Sequence, residues 1–190
     1  MTLLQDQIEK FLPHYLNENC KKALSESLSN YPNNLDNIFM PEDTFKEKEN
    51  SILQADIFEC NDIFLNTKAK VMVISNSCDN DENNIRNEET YISYIPLINL
   101  DKYKKLLEKN NISKEKIDSI KKQYTTSKFF IPTKKGDFVA LLDRPMHIDF
   151  KSFKEKIIKK EYSLNNYGFY IFLFKLSYHF TRIRETTQRY

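Results

Sequence analysis

The sequence predicts an α+β fold in which a small antiparallel sheet is wrapped by helices, and three observations predict it. Short β-branched and aromatic segments are confined to the middle of the chain, apolar residues recur at helical spacing on both sides of them, and the 190 residues include only 2 glycines. So few glycines argue against folds built on repeated tight turns or on a glycine-lined phosphate cradle. A chain of 190 residues that is 40% hydrophobic is in the range of one domain, so residues 1–190 are read as a single unit. With 14 Phe, 11 Tyr and 0 Trp, its core should be rich in single-ring aromatics.

The elements follow in order. Between Leu3 and Leu28, residues Leu4, Ile8, Phe11, Tyr15, Leu24 and Leu28 keep the helical period, and Pro13 bends or divides the helix. Tyr31 to Asn37, rich in Pro and Asn, and the densely charged Glu42 to Asn50 read as a solvated connection, which completes a helical arm over residues 1–50. Strand signals then appear at Ile57-Phe58, Val71 to Ser75 and Tyr91 to Ile98. Asp101 to Gln123 returns to a helical pattern broken near Asn110 and Asn111, a helical insertion within the sheet region 51–149. Phe129 to Pro132 and Phe138 to Leu142 are predicted to pair as a hairpin across Lys134, Lys135 and Gly136. Residues 150–190 are read as C-terminal helices: a basic amphipathic one over Phe150 to Lys160, and a final one over Tyr167 to Arg184.

Lysine and arginine total 29 against 27 acidic residues, a net charge of +2, so a polyanion would have to be met by a local patch. Cys20, Cys60 and Cys78 are widely spaced and read as reduced thiols; with no secretory pattern over Met1 to Lys10, a cytoplasmic location is expected. The most apolar stretch, Phe169 to Phe180, contains Lys175 and His179 and is shorter than the roughly 20 residues of a spanning helix, so no membrane contact is expected.

Among local motifs, Ser75-Asn76-Ser77-Cys78-Asp79 stands out, because small polar residues follow directly on an apolar strand. Cys78 could act there as a nucleophile beside Asp79, given a base such as His147 or His179. The alternative is a buried thiol beside a turn, with Asp79 bonding backbone amides. Asp79, Asp81 and Asn83 are spaced like the start of a calcium loop, but Asn84 and Thr90 stand where glycine and the closing glutamate belong. His14, His147 and His179 are scattered, so neither a metal nor a cofactor is expected. Arg144, Arg182 and Arg184 could gather into a phosphate-binding face or pair with Asp143, Asp149 and Glu185. The lysines from Lys151 to Lys160, beside Phe153 and Tyr162, suit single-stranded nucleic acid or a solvated helix face.

Two resemblances add to this reading. Ala55-Asp56-Ile57-Phe58, Val71 to Asn76 and Tyr94-Ile95-Pro96-Leu97-Ile98 resemble the first three strands of the PemK/MazF toxin family. That likeness implies an SH3-like, partly open barrel of about five or six strands. Ile74-Ser75-Asn76-Ser77-Cys78-Asp79, followed by Phe129-Phe130-Ile131-Pro132, is similar to uncharacterised bacterial proteins with an Ile-Ser-x-Ser-Cys-Asp signature. In the toxins an arginine before the second strand and a hydroxyl residue closing the third act on the scissile phosphate. Ala69 and Pro96 hold those places here, and Lys68 and Lys70 flank the first as point charges without the fork geometry of arginine.

The resemblance with these departures implies a non-catalytic binding or regulatory module of a bacterial stress, mobile-element or defence system. It would contact a protein partner or an RNA or DNA backbone. The alternatives are a PemK/MazF-like RNA endonuclease toxin with a rearranged active site, drawing on Lys68 and Lys70, and a thiol enzyme using Cys78 and Asp79.

Overall fold

The computed structural model describes residues 25, 28, 29, 31, 34–64, 67–81, 84, 89–110 and 115–181. Their architecture is α+β, with one seven-stranded antiparallel sheet and five α-helices. After a 3-10 turn at Leu35–Asn37 come α1 (Glu42–Glu47), β1 (Ile57–Phe64), β2 (Thr67–Val73) and β3 (Tyr91–Asn99). Next are α2 (Leu100–Lys109), α3 (Glu115–Lys121), β4 (Lys128–Ile131), β5 (Phe138–Leu141) and β6 (Met146–Asp149), then α4 (Phe150–Lys156), β7 (Ile157–Tyr162) and α5 (Asn166–Thr181). The strand order is β4-β5-β3-β2-β1-β7, with β6 on β3, and the sheet is not closed: β4 and β7 end the order without pairing.

Alternation explains how the central strands serve two cores. Ile57, Met72, Ile95 and Leu97 project into the larger one, shared with Phe129, Ile131 and Phe172. Their sequence neighbours Phe58, Val71, Val73 and Tyr94 turn to the other face and meet Phe153 of α4. Phe153 is fully buried and sits edge-on to Phe58 at 5.8 Å between ring centroids. Strand β3 pairs with β6 over Tyr91 to Tyr94 and with β5 over Leu97 to Asn99, and Pro96, which has no N–H to donate, lies in the gap between the two partners.

Side-chain caps set the helix starts. Asn99 Oδ1 accepts from the backbone N–H groups of Asp101 and Lys102 at 3.1 and 3.2 Å, ending β3 and opening α2. Asp149 does the same for α4 through Ser152 N–H at 2.8 Å. Glycine is required once by packing. A Cβ on Gly168 would lie 2.3 Å from Ile38 O, because α5 crosses the segment that bridges Phe39 to Leu164.

The outermost strand β4 is blunted in an unusual way. Gln123, at φ +61°, donates from Nε2 to Phe130 O at 2.7 Å and accepts from Phe130 N–H at 3.2 Å, so one side chain bonds the edge as a neighbouring strand would. Lys175 of α5, also buried, donates to the Gln123 carbonyl.

Several expectations need correction. The basic helix predicted over Phe150 to Lys160 stops at Lys156, and Ile157 enters β7 on the free edge of β1, where its β-branched side chain is favoured. Pro145 to Ile148 carried no strand prediction, yet Met146–Asp149 pairs with β3. Part of the charged connection Glu42 to Asn50 is the helix α1. The helical insertion is two helices, as the break near Asn110 suggested. The expected helix before Ser25, and Arg182 and Arg184, lie outside the described residues. No helix among the described residues is long and apolar enough to cross a membrane.

Candidate functional site

The sheet's two ends face each other across a cleft of about 710 Å³. One wall is the β4–β5 hairpin, with Pro132, Thr133, Lys134, Lys135 and Asp137. Opposite lie Glu161, Tyr162 and Ser163 at the end of β7, and the third wall comes from Asp36, Phe39, Met40, Glu42 and Phe45. Phe39 and Tyr162 stack at 4.8 Å between centroids, giving the cleft an aromatic patch. Its lining holds four carboxylates and two ammonium groups; Glu42 is paired with Lys46 at 2.8 Å and Glu161 with two lysines, which leaves Asp36 and Asp137 as the carboxylates with no ion pair among the described residues.

Glu161 is the best-held of these carboxylates. Its side chain is only 6% exposed and pairs with Lys70 at 2.9 Å and Lys159 at 2.6 Å, while Lys159 also reaches Glu59 at 3.3 Å. Burial opposes ionisation most strongly, but the two lysines together outweigh it and hold the carboxyl below its ordinary range. Glu59 and Lys70 are register partners two residues along from Ile57 and Met72, so alternation puts them on the larger core's face. Lys70 also lies 5.4 Å from the Phe138 ring centre.

Beneath the cleft is a buried anchor. Asp56 follows Ala55, whose φ is +71°, and accepts from Ser163 Oγ at 2.6 Å, Leu53 N–H at 2.7 Å and Lys160 Nζ at 2.7 Å. Lys160 Nζ donates further to Lys48 O at 2.9 Å and Ser51 O at 3.2 Å, tying the segment before β1 to β7. Burial raises the Asp56 pKa, against the pull of Lys160 and the hydrogen bonds. Ser163 is itself buried, and its Oγ donates to Asp56 within this network, so the hydroxyl serves the anchor and is closed off from the cleft's open space.

The residues singled out in the sequence do not converge. Lys68 is exposed within β2 rather than ahead of it, Ala69 pairs with Cys60, and Lys70 is engaged with Glu161. Cys78 is exposed, not buried, in a turn whose polar side chains bond the backbone and one another. Asn76 Oδ1 accepts from Cys78 N–H at 2.9 Å, Ser77 Oγ from Gln54 N–H at 2.9 Å, and Ser75 Oγ donates to Asn80 at 2.8 Å. His147 is on β6 against Tyr91, at 6.3 Å between rings, and His179 is on α5, so neither is joined to Cys78 by a hydrogen bond described here. Asp79 borders a separate hollow of about 460 Å³ with Asp81, Lys151 and Lys154. Among the described residues no group of three or more His, Cys, Asp or Glu is placed to hold a metal ion.

Arg144 lies elsewhere again, in a recess of about 270 Å³ with Lys116 of α3 and Lys128 of β4. The cleft residues Phe39, Phe45 and Glu161 carried no functional signal in the sequence, and Tyr162 was read only with the neighbouring lysines as a nucleic-acid or solvated surface; the one available hint was Phe45, a lone aromatic in a charged run. No protein-family model matches the sequence, and no curated protein shows significant similarity to it.

Proposed function

We propose that this chain is a non-catalytic binding module whose cleft grips a basic, partly apolar segment of a protein partner. The observation that carries the reading is the cleft's composition, an aromatic patch ringed by carboxylates of which Asp36 and Asp137 have no ion pair among the described residues. Such a ring repels a phosphate backbone and favours a segment with arginine or lysine beside apolar side chains.

The wide separation of Lys68, Cys78 and Arg144 supports a module without chemistry, since a nucleophile needs its base within hydrogen-bond reach. The finer description of the sheet as an SH3-like, partly open barrel is supported by the consecutive pairing of β1, β2 and β3 and by a cleft lined from both ends of the sheet. The PemK/MazF resemblance supplies the setting: a bacterial stress, mobile-element or defence system in the cytoplasm.

The test is a random-peptide display selection on the immobilised chain, with an RNA-cleavage assay beside it. Basic peptides carrying an aromatic residue should be enriched, and Asp36→Lys with Asp137→Lys should weaken them by about tenfold or more. RNA should stay intact. Cutting that disappears in Lys68→Ala, Lys70→Ala or Cys78→Ser would replace this reading with one of the two enzymes.

A further inference from the structure

The recess around Arg144 is another concave surface where charges from distant parts of the chain meet, and in its lining the cations outnumber the carboxylates. Lys128 comes from the start of β4, Asp143 and Arg144 follow β5, and Lys116 lies on α3. Lys128 is buried, and its Nζ is 2.7 Å from both oxygens of Asp143 and 3.3 Å from Ser127 O and Oγ. That pair is neutral as a unit. Its carboxylate is therefore already committed, and among the described residues no ion pair engages Arg144 or Lys116, whose positive charge remains in the recess.

Hydroxyl groups complete the surroundings: Thr125, Ser127 and Tyr103 all line the recess. Thr125 and Ser119 share a hydrogen bond at 3.2 Å, which holds the loop after α3 against that helix. We infer that this recess binds a terminal phosphate, the dianion of a phosphomonoester, between Arg144 and Lys116 with hydroxyl donors from Ser127 and Thr125. Two uncompensated cations match a dianion. A recess of about 270 Å³ admits one phosphate group and the start of what carries it, but not the paired grooves of a duplex. The planar guanidinium of Arg144 supplies two parallel donors, and the ion pair of the neighbouring Asp143 with the buried Lys128 fixes the backbone from which it projects.

The same chemistry is found on a free small phosphate and on a nucleic-acid 5′ end, and the experiment separates them. Amide NMR spectra are followed during titration with inorganic phosphate, with a 5′-phosphorylated oligothymidine and with its 5′-hydroxyl twin, chloride keeping the ionic strength fixed. Phosphate should shift the amides of Lys116, Thr125, Ser127 and Arg144, and Arg144→Gln, an exposed position whose spectrum should otherwise match the parent, should weaken binding by about tenfold or more. Lys116→Gln should weaken it too. A phosphorylated oligonucleotide that binds more tightly than inorganic phosphate identifies the nucleic-acid end as the source, and equal affinities identify a free small phosphate. The inference is overturned if Arg144→Gln leaves the titration unchanged, if chloride alone gives the same shifts, or if the 5′-hydroxyl oligonucleotide binds as well as its phosphorylated twin. Peptide binding at the cleft should be indifferent to Arg144→Gln, so either proposal can fail alone.

Discussion

Lys175 offers the sharpest quantitative test of the fold. Its ammonium group is carried by α5 into the core, where the Gln123 carbonyl is its hydrogen-bond partner, and burial lowers its pKa from 10.5 to about 8. The sign follows from proton counting. Above about pH 8 the folded chain releases this proton while the unfolded chain keeps it up to 10.5, so the unfolded state binds more protons and stability rises with pH in that window. Integrated from about pH 7 to 9, the gain is about 1.3 kcal/mol. Cys60 opposes it. Burial pushes its thiol from 9.0 to about 12, which removes about 0.4 kcal/mol over the same interval and more above it. The parent should therefore gain about 1 kcal/mol in this range and then lose the gain at higher pH. Lys175→Met keeps the length and apolar stem but has no proton to lose, so its stability should fall slightly over the same range. The assay is urea unfolding under reducing conditions at several pH values, read by far-UV circular dichroism because the chain has 0 Trp. The difference between the two chains cancels Cys60 and isolates Lys175. Parallel pH profiles would refute the argument.

Three further substitutions probe the ties between elements. Lys160→Met strands the buried Asp56 carboxylate beneath the cleft and should cost about 3–5 kcal/mol by urea unfolding. Gln123→Leu leaves both backbone groups of Phe130 unpaired on the β4 edge, so a loss of about 2 kcal/mol should come with concentration-dependent association seen by light scattering. Gly168→Ala drives a methyl into Ile38 O, which is already held by Asn165 N–H at 2.9 Å; a loss of about 1–3 kcal/mol in thermal unfolding is expected.

How much of this was legible in the sequence depends on whether local preference and tertiary demand agree. They agree at Val71 to Val73 and at Phe129 to Ile131, where buried β-branched and aromatic residues announce strands that the sheet then uses. They disagree after Lys156. Ile157-Ile158-Lys159-Lys160-Glu161 continues a basic helical pattern, but the exposed edge of β1 needed a partner, and Lys159 and Lys160 found carboxylates on Glu59 and Asp56 only by leaving the helix. Strand β6 was silent because Met146-His147-Ile148-Asp149 has one β-branched residue, and its pairing depends on where β3 has room. Of the site, the turn-forming character of Ser75 to Asp79 was readable, whereas the pairing of Asp143 with the distant Lys128 rather than with Arg144 was not. The cleft was not, since its walls come from residues around 40, 135 and 162, and no local pattern records which distant segments a curling sheet brings together.

The placement of the perturbed groups bears on function as well as on stability. In an enzyme the side chains with displaced pKa values tend to face the cavity where the reaction occurs. Here the largest displacements belong to Lys175 at about 8, to Cys60 and Tyr167 at about 12, and to Tyr31, which is pushed up further still; each is caused first by burial, and none of the four lines the cleft, the hollow beside Asp79 or the Arg144 recess. The perturbed carboxylate that does face the cleft, Glu161, is held ionised by two lysines, which does not suit transfer of a proton. The groups displaced by burial thus belong to the scaffold, while Asp36 and Asp137 in the cleft and Lys116 and Arg144 in the recess carry charge of opposite sign. That division is what recognition requires, and it is why a charge reversal at Asp36 and Asp137 should abolish peptide capture without touching the pH profile set by Lys175.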